Sequence, residues 1–208
     1  MRSTRSCSRK ERWRISPAVC RMQKGRGAVH KMLQHKIRIK KQLRGIGRKL
    51  QCIIMVANDS TSASNTLRGL GFVDGIIELG KADGYSVAVT GNEWFTKNCS
   101  DVGDESTADI IVECRVPATA LVDFCASEVS AVCNKTDTVA VFGTNQTVTE
   151  GIIMANNNLQ VLGSDPDTSI IGTGFDAGAT IKGNVANGTL YGCVIQMPHA
   201  MGCNTGSE

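Results

Sequence analysis

Histidine is scarce in this chain, three residues in 208, and its nine cysteines include no C-x-x-C or C-x-x-x-x-C pair. A structural zinc site needs four closely placed ligands, usually delivered in such pairs, so the spacing argues against one. A disulfide framework is equally out of place in a chain long enough to bury its own core. Cys52, Cys125 and Cys193 are therefore expected to serve as small buried apolar residues. Long apolar runs are also missing: Cys52 to Ala57 (CIIMVA) is among the longest, far short of the roughly 20 residues that span a bilayer. Met1 to Gly27 supplies no apolar h-region, so no secretory signal is recognisable and the chain as written is expected in the cytoplasm. The G-x-S-x-G, G-x-x-x-x-G-K-[ST] and H-E-x-x-H patterns do not occur, and His199 has no obvious carboxylate partner. With those absent, neither an enzyme nor a cofactor is expected.

Acidic residues are almost absent from the first 50 positions, which hold 17 Lys and Arg against Glu11 alone, a net of +16. The remaining 158 residues carry 6 basic side chains against 18 acids, a net of −12. The chain thus divides at residue 50 into a basic extension and an acidic domain of residues 51 to 208. Within the extension, Val29, Met32, Leu33, Ile37 and Leu43 recur at helical spacing, predicting a basic amphipathic helix over 28–44. The residues before it show no apolar period, so the extension is expected to be disordered or partly helical. A second periodic helix after a short turn, needed for a helix-turn-helix, is missing, and nucleic acid is not the expected partner.

The acidic segment alternates strand-like and helix-like runs. CIIMVA over 52–57 has the continuous apolar character of a buried parallel strand. Thr66 to Lys81 follows as a helix, then a strand at 85–89 and a loop holding Trp94 and Phe95. A helical stretch is expected from about Ser106, interrupted by Pro117 and resumed to about Cys133. Strands at 138–142, 169–172 and 190–195 alternate with helices at 148–157 and 177–187. Strands separated by helices imply parallel pairing and a three-layer, doubly wound α/β sheet.

Ligands of such sheets sit beyond the carboxyl ends of the strands. The residues there are Ser60 to Asn65, Trp94, Phe95, Asn145, Asp176 and Gln196. Amides and carboxylates satisfy hydroxyls while an aromatic face covers C–H surface, a mixture suited to a small polyol or sugar.

Four segments in order carry a resemblance: Arg68-Gly-Leu-Gly-Phe72-Val-Asp-Gly75, Ala140-Val-Phe-Gly-Thr-Asn145, Ile171-Gly-Thr-Gly-Phe-Asp176, and Val194-Ile-Gln196-Met-Pro198-His-Ala-Met-Gly202. Together they resemble the motifs of ribose-type periplasmic sugar-binding proteins, the solute receptors of ABC importers, whose fold is shared with the regulatory domains of lactose-repressor-type proteins. The resemblance covers about residues 52 to 203 and implies one lobe, the C-terminal one, of a two-lobed type I periplasmic-binding-protein-like fold. It implies that Arg68 and Asp176 bind sugar hydroxyls, that Trp94 or Phe95 stacks on the ring, and that Asn145 and Gln196 add hydrogen bonds. It further implies a monosaccharide ligand (ribose-like, or another pentose or hexose), ABC permease subunits as partners, and a periplasmic or other extracytoplasmic location.

Departures from that pattern shape the expectation. The N-terminal lobe's place is taken by the +16 stretch, and the last helix and returning hinge strand are expected to be missing, so a truncated form is expected. The 49 residues between Phe95 and Asn145 exceed the family pattern. The alternative is a cytoplasmic sugar-sensing regulator of the lactose-repressor type, with the basic segment as a DNA-contacting arm.

Overall fold

The structure, a computed structural model, describes residues 51–165 and 168–196. The amphipathic helix expected over 28–44 and the last part of the fourth motif, 197–202, lie outside the described residues. Among the described residues eleven elements alternate: β1 (Cys52–Val56), α1 (Ala63–Ala82), β2 (Val87–Gly91), α2 (Glu93–Asn98), β3 (Ile110–Arg115), α3 (Val122–Cys133), β4 (Thr138–Gly143), α4 (Gln146–Leu159), β5 (Ile171–Phe175), α5 (Ala179–Ala186) and β6 (Leu190–Val194). All strand pairs are parallel, in the order β2-β3-β1-β4-β5-β6.

The continuous apolar run of β1 is explained by its central place. Cys52, Ile54 and Val56 face one core, and Ile53, Met55 and Ala57 face the other. The first core is closed by Cys125, Val129 and Val132 of α3, Val148 and Ile152 of α4, and Ile181 and Val185 of α5. The second is closed by Val73, Ile76 and Ile77 of α1 and Phe95 of α2. Each face of the sheet thus carries its own helices, as expected for a doubly wound α/β fold.

Two glycines let neighbouring elements approach closely. A Cβ on Gly69 would stand 2.8 Å from the Phe95 ring and 3.0 Å from Met55 Sδ. One on Gly151 would stand 2.5 Å from Cys125 Cβ, and there α3 and α4 pack side by side.

One expected element is corrected. Residues 110–115 form a strand, so the sheet has six strands rather than five, and only the resumed part of the expected helix, α3, is helical. Ile110, Val112 and Cys114 are buried while Ile111, Glu113 and Arg115 are half-buried. That is the two-residue period of a strand. The β-branched run Ile110-Ile111-Val112 favours it further. This strand lies in the long Phe95–Asn145 segment and enters the sheet between β1 and β2, which becomes an edge strand.

Cys52, Cys125 and Cys193 are buried, as expected of small apolar residues. Cys52, Cys114, Cys125, Cys133 and Cys193 are buried free thiols. Burial pushes the Cys52, Cys133 and Cys193 thiols up to about 12 and that of Cys125 to about 11.

Candidate ligand site at the strand ends

The direction in which the chain winds across the sheet changes between the parallel neighbours β1 and β4. After β1 the chain winds through α1 and α2 on one face, and from α3 onward its helices lie on the other. Neighbouring connections diverge at such a switch point and leave a crevice at the carboxyl ends of the strands. The residues bordering it are Asn58 and Asp59 after β1, Thr144 and Asn145 after β4, and Arg68 one turn into α1.

Arg68 is held by two contacts. Its Nη1 donates to the Thr144 carbonyl oxygen at 3.1 Å, and its guanidinium carbon lies 4.2 Å from the centre of the Phe175 ring. Thr144 is wholly buried and its N–H donates to the Val56 carbonyl, so Arg68 rests on a rigid strand end. A stacked guanidinium keeps its remaining N–H donors in one plane, which suits paired hydroxyl oxygens.

Asn145 caps α4. Its Oδ1 accepts from the Val148 N–H at 3.0 Å, the common N-cap arrangement. Asp176 lies beside it, because its Oδ2 accepts from the Gln146 N–H at 3.1 Å. Asp176 also has φ of +72°, and its own N–H donates to the Val194 carbonyl at 2.8 Å. A left-handed backbone is tolerated by Asp better than by most residues, and such conformations cluster at functional sites. Thr149, wholly buried on α4, ties the pieces together: its Oγ1 accepts from the Phe175 N–H at 3.0 Å and lies 2.7 Å from the Asn145 carbonyl. Gly174 makes this approach possible, since a Cβ there would overlap the Thr149 side chain. Arg68, Asn145 and Asp176, distant in sequence, are therefore linked through Thr144, Phe175, Gln146 and Thr149.

The other expected residues are placed differently. Phe95 is wholly buried, with Gly69 and Met55 against its ring and Trp94 edge-on at 5.1 Å. Its ring has no face left for a ligand, which corrects that half of the expected aromatic pair. Trp94 remains half-buried at the start of α2. It follows β2, which β3 separates from β1, so the end of β2 lies about 10 Å from that of β1 at two strand spacings. Gln196 is exposed two residues beyond β6, at the opposite edge of the sheet. The polar loop after β1 turns inward. Asp59 accepts from the Thr61 and Ser62 N–H groups and from Asn65 Nδ2, and the Ser62 bond foremost holds its carboxyl below the usual carboxylate range.

Asn58 was not singled out by sequence reasoning. Its N–H lies 3.4 Å from Thr144 Oγ1, and its Oδ1 is buried with no hydrogen-bond partner. The only signal in the sequence was an Asn directly after a buried strand. A separate cleft of about 390 Å³ lies at the ends of β2 and β3, lined by Gly91, Asn92, Glu113, Arg115 and Glu128 among others. Its charges are committed to one another: Arg115 pairs with Glu113 and Glu128, and Lys135 with Glu113.

No helix among the described residues is long and apolar enough to cross a membrane. No protein-family profile matches the sequence, and no curated protein does. Among solved structures the chain is similar to a periplasmic component of an ABC-type sugar transport system from Hahella chejuensis, at 15% identity and a TM-score of 0.49, covering 83% of this chain and 51% of that one. It is also similar to a structure described as the XylFII molecule, at 15% identity and a TM-score of 0.46, covering 84% and 52%. A third is described as an ABC transporter, LacI family transcriptional regulator, from Brachyspira murdochii, at 19% identity and a TM-score of 0.44, covering 78% and 47%. The chain spans about half the length of these structures.

Proposed function

We propose that residues 51–208 form a carbohydrate-binding lobe of the kind used by the solute receptors of ABC sugar importers, with binding rather than catalysis as its activity. The observation that carries this reading is the convergence of Arg68, Asn145 and Asp176 at the strand ends, built from three separate motifs. A guanidinium, an amide and a carboxylate on a stacked aromatic base suit the alternating donors and acceptors of a monosaccharide. Trp94 and Gln196 extend the surface to either side. In this setting the ligand is a pentose or hexose and the partners are ABC permease subunits. A lobe acting alone supplies half of the hydrogen-bond shell, so affinity is expected in the weak range.

The test is calorimetry or ligand-observed NMR with neutral monosaccharides against the purified chain and its Arg68→Ala variant. Binding that falls at least tenfold in the variant is the expected result. A wild-type chain that binds no monosaccharide at millimolar concentration refutes the reading. The +16 segment favours a second reading, a sugar-sensing regulator that contacts DNA. It requires DNA affinity that falls steeply with salt, and a mobility-shift titration between low and physiological salt decides it.

A further inference from the structure

We propose that Asn58 is a ligand-contacting residue of this site, its carboxamide turning to place Oδ1 on a hydroxyl of the bound sugar; this rests on the carbohydrate reading above. Buried polar atoms in folded proteins are nearly always paired, and each exception calls for a physical reason. Asn58 Oδ1 is such an exception: it is buried, it has no partner, and it lies at the switch point of the sheet. Its neighbours place it in the cluster. The Asn58 backbone N–H approaches the Thr144 hydroxyl, while the Arg68 side chain donates to the Thr144 carbonyl, so both residues meet Thr144 at the end of β4.

The residue as a whole is only partly buried, and no hydrogen bond holds Oδ1 in place. The terminal torsion of Asn is broad and roughly two-fold. A half-turn about it exchanges Oδ1 for Nδ2 and brings the unsatisfied acceptor outward, where a sugar O–H can donate to it. The orphaned acceptor weakens the hold on the present orientation, and a sugar O–H on the turned Oδ1 supplies the hydrogen bond that the chain itself does not.

The experiment uses the full chain and its Asn58→Ala variant with a panel of ribose, xylose, arabinose, galactose and glucose. Two readings are taken, the dissociation constant by calorimetry and the urea midpoint by circular dichroism. The expected result is a loss of at least tenfold in affinity for the sugar that binds wild type, with a midpoint unchanged or raised. The side-chain amide NMR signal of Asn58, identified by its absence from the variant, is expected to shift on adding that sugar. Wild-type binding with equal affinity in the variant overturns the role of Asn58 and leaves the carbohydrate reading intact. A lowered midpoint with unchanged affinity does the same, since it marks Oδ1 as structurally satisfied, for example by a trapped water. A panel in which no sugar binds wild type overturns both.

Discussion

Replacing Thr149 by Val tests the mechanical link between α4 and β5. The two side chains have nearly the same shape, so the change removes an oxygen without opening a cavity. In the wild type Thr149 Oγ1 accepts from the Phe175 N–H at 3.0 Å and lies 2.7 Å from the Asn145 carbonyl and 3.2 Å from that of Phe175. The Asn145 carbonyl keeps a partner in the variant, because it also accepts from the Thr149 N–H at 3.0 Å. The Phe175 N–H loses its acceptor. A buried donor left unsatisfied costs about 1–3 kcal/mol, and Phe175 is half-buried, so a loss of about 2 kcal/mol is expected. For a chain of this size that corresponds to a fall of roughly 4–8 °C in melting temperature. The assay is urea unfolding followed by circular dichroism, with a lower midpoint and an unchanged slope as the signature. Thr149→Ser keeps the hydroxyl and is expected to lose less than Thr149→Val. A Val variant within about 0.5 kcal/mol of wild type, the range usual for neutral surface changes, would refute the claim that this hydroxyl holds the strand end.

Three further outcomes follow from the geometry. At Asp176, whose φ is +72°, the Ala variant is expected to be less stable than the Gly variant by roughly 1 kcal/mol; both lose the bond to Gln146, so their difference in urea midpoint isolates the backbone term. Gly69→Val drives a side chain into Phe95 and Met55, and a loss of about 1–3 kcal/mol or more is expected from thermal unfolding. The buried thiols, raised from about 9 to about 12 for Cys52, Cys133 and Cys193, make folding stability sensitive to alkali. The folded chain holds these protons more tightly, so their contribution is complete below pH 9 and is lost as pH rises from about 9 to about 12. Unfolding midpoints that stay level from pH 8 to pH 10.5 would contradict the burial of these thiols.

Much of the layer structure was legible because it is local. The run at 52–57, the periodic helix after it and the TVAVF strand each declare their type within a short window, and all three are found. The strand at 110–115 was hidden because its sequence, Ile-Ile-Val-Glu-Cys-Arg, also fits a helical spacing over so short a length. Only its pairing with β1 and β2 settles the matter. Arg68, Asn145 and Asp176 were legible as polar residues at motif positions. The fate of Phe95 was not, since an aromatic after a strand reads the same whether it faces a ligand or a glycine on the neighbouring helix.

Composition and order alone determined that this chain joins a strongly basic segment to an acidic, strand-and-helix-patterned segment, and pointed to Cys52, Cys125 and Cys193 as packing residues, which the fold buries. Those properties depend on counts and spacings, which survive without coordinates. Tertiary structure decided which residues meet. It set β3 beside β1, seated Arg68 on Phe175 and Thr144, sealed Phe95 into the core and left Asn58 Oδ1 without a partner. Each of these depends on contacts between residues far apart in the chain, where the close packing of the interior, rather than local propensity, fixes the outcome.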